Sequence, residues 1–261
     1  MAGSKPTVVI VPGGWHSSNA YEGLASCFQK AGYPTAITKV PSLNPQDPSV
    51  CDCRSDAASV REQLLPLLED DGKEIIILCH SYGGIPAGGA AYGLSTSARK
   101  HQGKSGGVLG LVYLTAFVVP EDESLVNYLG GKHPPYLLAD SPSEGLSVIG
   151  TPGPTLYADL SPKVAKDMEE ALLPHAILAF ESPAPPAAWA EPAYAGKLAF
   201  LRCTQDAALP AFLQNLFVQR SGVDWTVKDI DASHSAFLSK PEEIAKLVEE
   251  LERTFEDDKT V

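Results

Sequence analysis

The chain has 261 residues, and 20 lysines and arginines against 32 aspartates and glutamates give it a formal net charge of −12. That balance argues against a nucleic-acid partner, whose phosphates must be neutralised by Lys and Arg. With 44% hydrophobic and 20% charged residues the composition is globular, and at roughly 150 residues per domain the length fits two small domains or one larger core with an insertion.

The first apolar run, Val8 to Val11, is too short for the core of a signal peptide. The longest, Val108 to Pro120, is interrupted by Gly110 and Thr115 and falls short of the roughly 20 residues a bilayer requires. Neither secretion nor membrane association is expected. The five cysteines are odd in number and lack framework spacing, which suits reduced thiols; a cytoplasmic location is the default expectation. Cys51 and Cys53 form a CxC pair that would need two further ligands to hold zinc, so no metal is expected.

In chain order, Thr7 to Val11 reads as a strand closed by Pro12-Gly13-Gly14, and Tyr21 to Ala31 as a helix ended by Gly32. Thr35 to Val40 is a second strand. Ser55 to Leu68 follows as a helix that Pro66 should kink or end. Glu74 to Cys79 is a buried strand, Gly83 to Leu94 a Gly- and Ala-rich helix, and Val108 to Thr115 a further strand. Continuous rather than alternating apolar runs fit strands covered on both faces, and the alternation of strand and helix implies a parallel sheet with right-handed crossovers. From Pro120 to Gly196 prolines crowd in and helical pieces such as Ser161 to Leu173 are short, so residues 120–196 read as an inserted cap between core segments 1–119 and 197–261. Strands return at Leu198 to Cys203 and Trp225 to Ile230. A closing helix from Pro241 to about Phe255 carries Ile244, Leu247, Val248 and Leu251 on one face, and the acidic Glu256-Asp257-Asp258 reads as a solvated end. No internal repeat is present.

The segment Ile75 to Gly84 places a serine, Ser81, between a buried strand and a helix. A tight turn there projects the hydroxyl out of the sheet and brings backbone N–H groups beside it. Gly83 fits the G-x-S-x-G pattern, whereas Cys79 replaces its first glycine. A serine is a weak nucleophile until a base takes its proton, and that base must be held by a carboxylate. Among six histidines, His234 follows the last strand, where a loop can overhang the serine; His16, His80, His101, His133 and His175 lie elsewhere. Asp206 follows the penultimate strand. Asp224 and Asp229 read as surface charges and Asp231 as a competitor. The order Ser81, Asp206, His234 is that of α/β-hydrolases.

Together with Val8 to His16, Leu114 to Pro120, Cys203 to Pro210 and His234 to Pro241, these segments make nearly the whole chain resemble the α/β-hydrolase superfamily, in its compact branch of plant methylesterases, hydroxynitrile lyases and related microbial esterases. The resemblance implies an α/β-hydrolase fold, with a mostly parallel central sheet flanked by helices and an inserted helical cap. It implies an oxyanion hole from the backbone N–H groups of Gly14 and Tyr82. The family usually closes its first strand with His-Gly, where this chain has Pro12-Gly13. Hydroxynitrile lyases carry a threonine in the first loop and a lysine after the catalytic histidine; Gly13 and Ser235 stand here, which favours hydrolysis over cyanohydrin cleavage.

The expected reaction is acyl transfer from a hydrophobic ester, lactone or thioester, without a cofactor. Trp15, His16, His80, Phe117, Tyr128 and Trp189 are candidates to line the substrate pocket, with Tyr136 and Phe180 as further cap aromatics. A lyase, retro-aldol or cyclising enzyme on a secondary metabolite, and a non-catalytic small-molecule receptor, are the alternatives. A homodimer is left open.

Overall fold

The computed structural model describes residues 5–69 and 72–257; Asp258, the end of the acidic tail, lies outside the described residues. In chain order the first half contains β1 (Thr7–Val11), α1 (Glu22–Lys30), β2 (Thr35–Ile37), α2 (Cys53–Glu69), β3 (Glu74–His80), α3 (Gly84–Ala91), α4 (Thr96–His101) and β4 (Gly107–Leu114). Then come α5 (Leu125–Tyr128), β5 (Leu137–Ala139), β6 (Leu146–Ile149), α6 (Pro152–Leu156), α7 (Pro162–Glu170), β7 (His175–Ala176) and α8 (Leu178–Glu181). The chain closes with β8 (Leu198–Cys203), α9 (Ala211–Ser221), β9 (Thr226–Ile230), α10 (Ala236–Ser239) and α11 (Pro241–Asp257).

Six strands form one parallel sheet in the order β2-β1-β3-β4-β8-β9. Alternate side chains of its central strands enter two separate cores, which is why these strands read as unbroken apolar runs. Val9, Val11, Ile77 and Cys79 pack with Val60 and Leu64 of α2 and Ala87 of α3. Val8, Ile10, Ile76 and Leu78 pack with Leu24 and Phe28 of α1 and with Ile244, Val248 and Leu251 of α11. The chain order reverses between the neighbours β1 and β3, so the crevice beyond their carboxyl ends is where a ligand of an open parallel sheet is expected.

Two expectations are corrected. Pro66 does not end α2, which continues to Glu69; a proline in the last turn forfeits one amide bond with little helix left to lose. The segment between β4 and β8 is not purely helical, because β5, β6 and β7 form a small antiparallel sheet. Helix α9 was absent from the sequence reading because a polar residue, Gln214, is one of its two buried positions.

Candidate active site

Ser81 directly follows β3 and has φ +52°, a left-handed conformation uncommon for a non-glycine residue and one that turns the chain sharply out of the sheet. The turn closes against β1. A Cβ on Gly83 would stand 2.5 Å from the Pro12 carbonyl oxygen, and one on Gly13 would stand 2.7 Å from His80 Nδ1, so both positions require glycine. Cys79, where the pattern has its first glycine, is fully buried and packs into the core, with its thiol 3.6 Å from the Val112 carbonyl.

His234 Nε2 lies 3.0 Å from Ser81 Oγ, and its Nδ1 lies 2.7 Å from Asp206 Oδ2. All three side chains are buried. The Asp206 carboxylate accepts four hydrogen bonds: from His234, from Thr115 Oγ1 at 2.5 Å, and from the amides of Ala208 and Leu209 at 2.8 and 2.7 Å. A carboxylate only accepts, so Nδ1 of His234 carries the proton and Nε2 presents its lone pair to the serine hydroxyl. The competing aspartates are engaged at the surface, Asp229 with Arg202 and Asp231 with Thr204 and Gln205.

The other buried histidines are kept neutral by burial. His16 is lowered to about 4 and so is His175, while His80 is pushed well below the ordinary range. Their hydrogen bonds support that state. His16 Nδ1–H donates to the Gly14 carbonyl at 2.9 Å, and Nε2 accepts from Tyr157 Oη at 2.7 Å. His80 Nε2–H donates to the His234 carbonyl at 2.9 Å, and Nδ1 accepts from Tyr21 Oη at 2.7 Å, which itself accepts from the Gly13 amide at 2.9 Å. One chain of hydrogen bonds therefore runs from Gly13 to the loop that carries His234. The Gly13–Gly14 peptide is pinned on both sides, by Tyr21 before it and His16 after it.

The His234 loop is also held from the other side. Ser233 bonds to Asp159 through its hydroxyl and its amide, Ser239 Oγ donates to Asp159 Oδ2 at 2.7 Å, and Ser235 N donates to the Leu156 carbonyl at 3.1 Å. Burial opposes the charge on Asp159, but these donors outweigh it and hold the carboxyl below its ordinary value.

Ser81 and His234 line a narrow cleft of about 20 Å³ whose wall includes Gly14, Tyr82, Trp15, His16 and Phe117. It adjoins a wider recess of about 350 Å³ that shares Phe117, His133, Tyr136 and Ala208 with it. Of the pocket candidates, Trp15, His16 and Phe117 are on this wall, together with Tyr136 and Phe180. Three others are corrected. His80 is fully buried behind Ser81 and holds the His234 carbonyl instead of facing the cleft. Tyr128 stacks on Phe217, and Trp189 packs beside Gly88 of α3. The sequence reading missed Leu125, Val126, Leu129 and Leu156 on the wall, and Thr115, Tyr21 and Asp159 as supports. The supports are isolated polar residues whose partners are distant in sequence, so no local pattern marks them.

Residues 8–247 match the model of the alpha/beta hydrolase family. The chain belongs to that family. Among curated relatives, this hydrolase is 28% identical to alpha/beta hydrolase nvfD of Aspergillus novofumigatus over 247 residues, covering 94% of this chain and 95% of the relative. It is 26% identical to probable hydrolase R7 of Phoma sp. over 254 residues, covering 95% and 98% of the two chains. Among solved structures, the fold of the hydrolase matches a pyrethroid hydrolase from Sphingobium faniae with a TM-score of 0.70 at 18% identity, over 95% of this chain and 97% of that one. It matches polyneuridine aldehyde esterase with a TM-score of 0.71 at 19% identity, over 95% and 99%. Among the described residues, no helix is long and apolar enough to cross a membrane.

Proposed function

We propose that this hydrolase cleaves a carboxylic ester, lactone or thioester of a hydrophobic small molecule through an acyl-enzyme on Ser81. The observation that carries the reading is the continuous hydrogen-bonded series from Ser81 Oγ through the imidazole of His234 to Asp206, opening on a mostly apolar cleft. His234 Nε2 takes the Ser81 proton as Oγ attacks the carbonyl carbon. The oxygen that becomes negative is received by the backbone N–H groups of Gly14 and Tyr82, both on the cleft wall; one such donor is worth about 3 kcal/mol or more. Collapse of the tetrahedral adduct expels the alcohol or thiol with the proton from His234. Water, deprotonated by the same nitrogen, then attacks the acyl carbon and releases Ser81. Asp206 keeps the imidazole in the productive tautomer and stabilises its cation. The name of one similar fold, polyneuridine aldehyde esterase, agrees with this chemistry.

Cyanohydrin cleavage is disfavoured because a side chain at Gly13 would collide with His80. The deciding experiment is intact mass after brief mixing with an activated aryl ester, for wild type and Ser81→Ala in parallel. An acyl adduct that maps to Ser81, decays with time and is missing from the variant is the expected result. Turnover without an adduct, equal in both proteins, would remove Ser81 from the mechanism.

A further inference from the structure

Asp56, in the first turn of α2, is fully buried, yet it takes no part in the series from Ser81 to Asp206. Its Oδ1 accepts from the Ser42 amide at 3.0 Å, and its Oδ2 bonds to the Ser42 hydroxyl and accepts from Tyr82 Oη at 2.6 Å. Burial raises the pKa of this carboxyl, and a buried acid costs stability that an apolar residue of similar size would not. Packing alone gives no reason for an acid at this position.

One of its bonds ends on the residue after Ser81. Tyr82 lies in the tight turn Ser81–Gly83, and its backbone N–H is one of the two donors assigned to the oxyanion. The side chain is held at both ends: Oη by Asp56, and Cβ against the first loop, 3.7 Å from where a Cβ on Gly14 would stand. His175 and Phe180 pack edge-on against the ring, with centroids 4.9 and 5.2 Å away. Because the phenol is rigid, the position of its far end governs how the Ser81–Tyr82 peptide is presented.

The loop of the second donor is tied to the same cluster. Ser42 Oγ also bonds to His175 Nε2 at 3.0 Å, the His175 carbonyl accepts from Ser147 Oγ at 3.0 Å, and the Ser147 carbonyl accepts from Trp15 Nε1–H at 3.1 Å. Trp15 follows Gly14 and has φ +63°, a conformation that persists only where its surroundings fix it.

We infer that Asp56 is a positioning residue for the oxyanion hole. Its bond to the Tyr82 hydroxyl sets the Ser81–Tyr82 peptide against Gly14, and through Ser42 and His175 it braces the Trp15 loop. The inference rests on the serine-hydrolase reading, since it needs an oxyanion to stabilise.

The test compares kcat and KM for p-nitrophenyl butyrate with the binding of phenethyl trifluoromethyl ketone and of its corresponding alcohol. Ser81 Oγ adds to the ketone carbon, the serine proton passes to His234, and the carbonyl electron pair becomes an oxyanion in the hole; the alcohol has the same shape and cannot add. Tyr82→Phe keeps the ring and should lower kcat about tenfold or more with KM within about twofold, the mark of a contact made only in the transition state. Its affinity for the ketone should fall by about the same factor, and that for the alcohol by less than about twofold. Asp56→Ala should reproduce this pattern, and the double variant should add little, because both changes remove one bond. Asp56→Asn retains an oxygen for the Tyr82 hydroxyl and should recover part of the loss, which covers the case where the alanine variant folds poorly. A kcat and a ketone affinity in Tyr82→Phe within about twofold of wild type, or ketone and alcohol weakened alike, would overturn the positioning role and leave the hydrolase reading standing. A wild type that neither turned over the ester nor bound the ketone more tightly than the alcohol would sink the hydrolase reading, and the role of Asp56 with it.

Discussion

The Nε2–H of His80 reaches the backbone carbonyl of His234 at 2.9 Å, so the residue that precedes the serine in the chain holds the loop that presents the imidazole to it. The ring is also the acceptor for Tyr21, and through Tyr21 it is coupled to Gly13. Replacing it with His80→Leu leaves the Tyr21 hydroxyl without an acceptor and the His234 carbonyl without its donor in the interior. The expected loss is roughly 1–3 kcal/mol for each group, read by urea denaturation. The kcat should fall as well, because the imidazole loses a support.

Asp206→Asn is expected to leave the fold intact and to lower kcat by about 10⁴-fold. The amide oxygen can still accept from the Ala208 and Leu209 amides, but the NH₂ group now faces His234 Nδ1 and favours the wrong tautomer. Steady-state kinetics alongside a thermal melt checks both halves. An unchanged kcat would assign the orienting role elsewhere.

Gly83→Ala should be destabilising by about 3 kcal/mol and should also damage turnover. The added Cβ would stand 2.5 Å from the Pro12 carbonyl oxygen and 2.6 Å from that of Val11, both backbone atoms at the end of β1. Relief of that clash must move the Gly13–Gly14 turn away from Ser81. A chemical denaturation curve and a kcat measured well below the melting temperature separate the two effects.

Stability should fall as the pH is lowered from about 6.5 towards about 4. His16 and His175 are lowered to about 4 by burial, so across that window the unfolded chain binds protons that the native protein refuses. The difference of about 2.5 units corresponds to about 3 kcal/mol for each histidine when fully expressed. Denaturation at pH 7.5, 5.5 and 4.5 measures it, and His175→Gln should flatten the slope. A stability that stayed level over this range would mean that these rings protonate inside the fold.

The Ser81 turn was legible because its signal is local: a buried strand, a serine and small residues within ten positions meet one steric requirement. Asp206 and His234 were legible because a parallel sheet brings the loops after successive strands to one end, so order along the chain stands in for proximity. Local patterns failed where direction mattered. Phe117 and Tyr128 are both aromatics of the same region, yet one faces the cleft and the other stacks on Phe217; an aromatic residue encodes burial but not the side on which it is buried. Gln214 failed for the opposite reason, since a polar residue buried against the end of β8 breaks the apolar stripe that marks a helix. Its amide nonetheless bonds to Cys203 and Leu209 on either side of Asp206.

The sequence by itself determined the parallel sheet, the serine turn and the order of Ser81, Asp206 and His234 along the strand ends, because each depends on residues near one another or on strand succession. Only the tertiary structure decided that His80 faces away from the cleft, that Tyr21, His16 and Asp159 hold the loops around Gly13 and His234, and that His133 Nδ1 is buried without a hydrogen-bond partner. These are facts about which hydrogen-bond partners meet across distant segments. Donor and acceptor chemistry is written in each residue, but its satisfaction is a property of the folded whole.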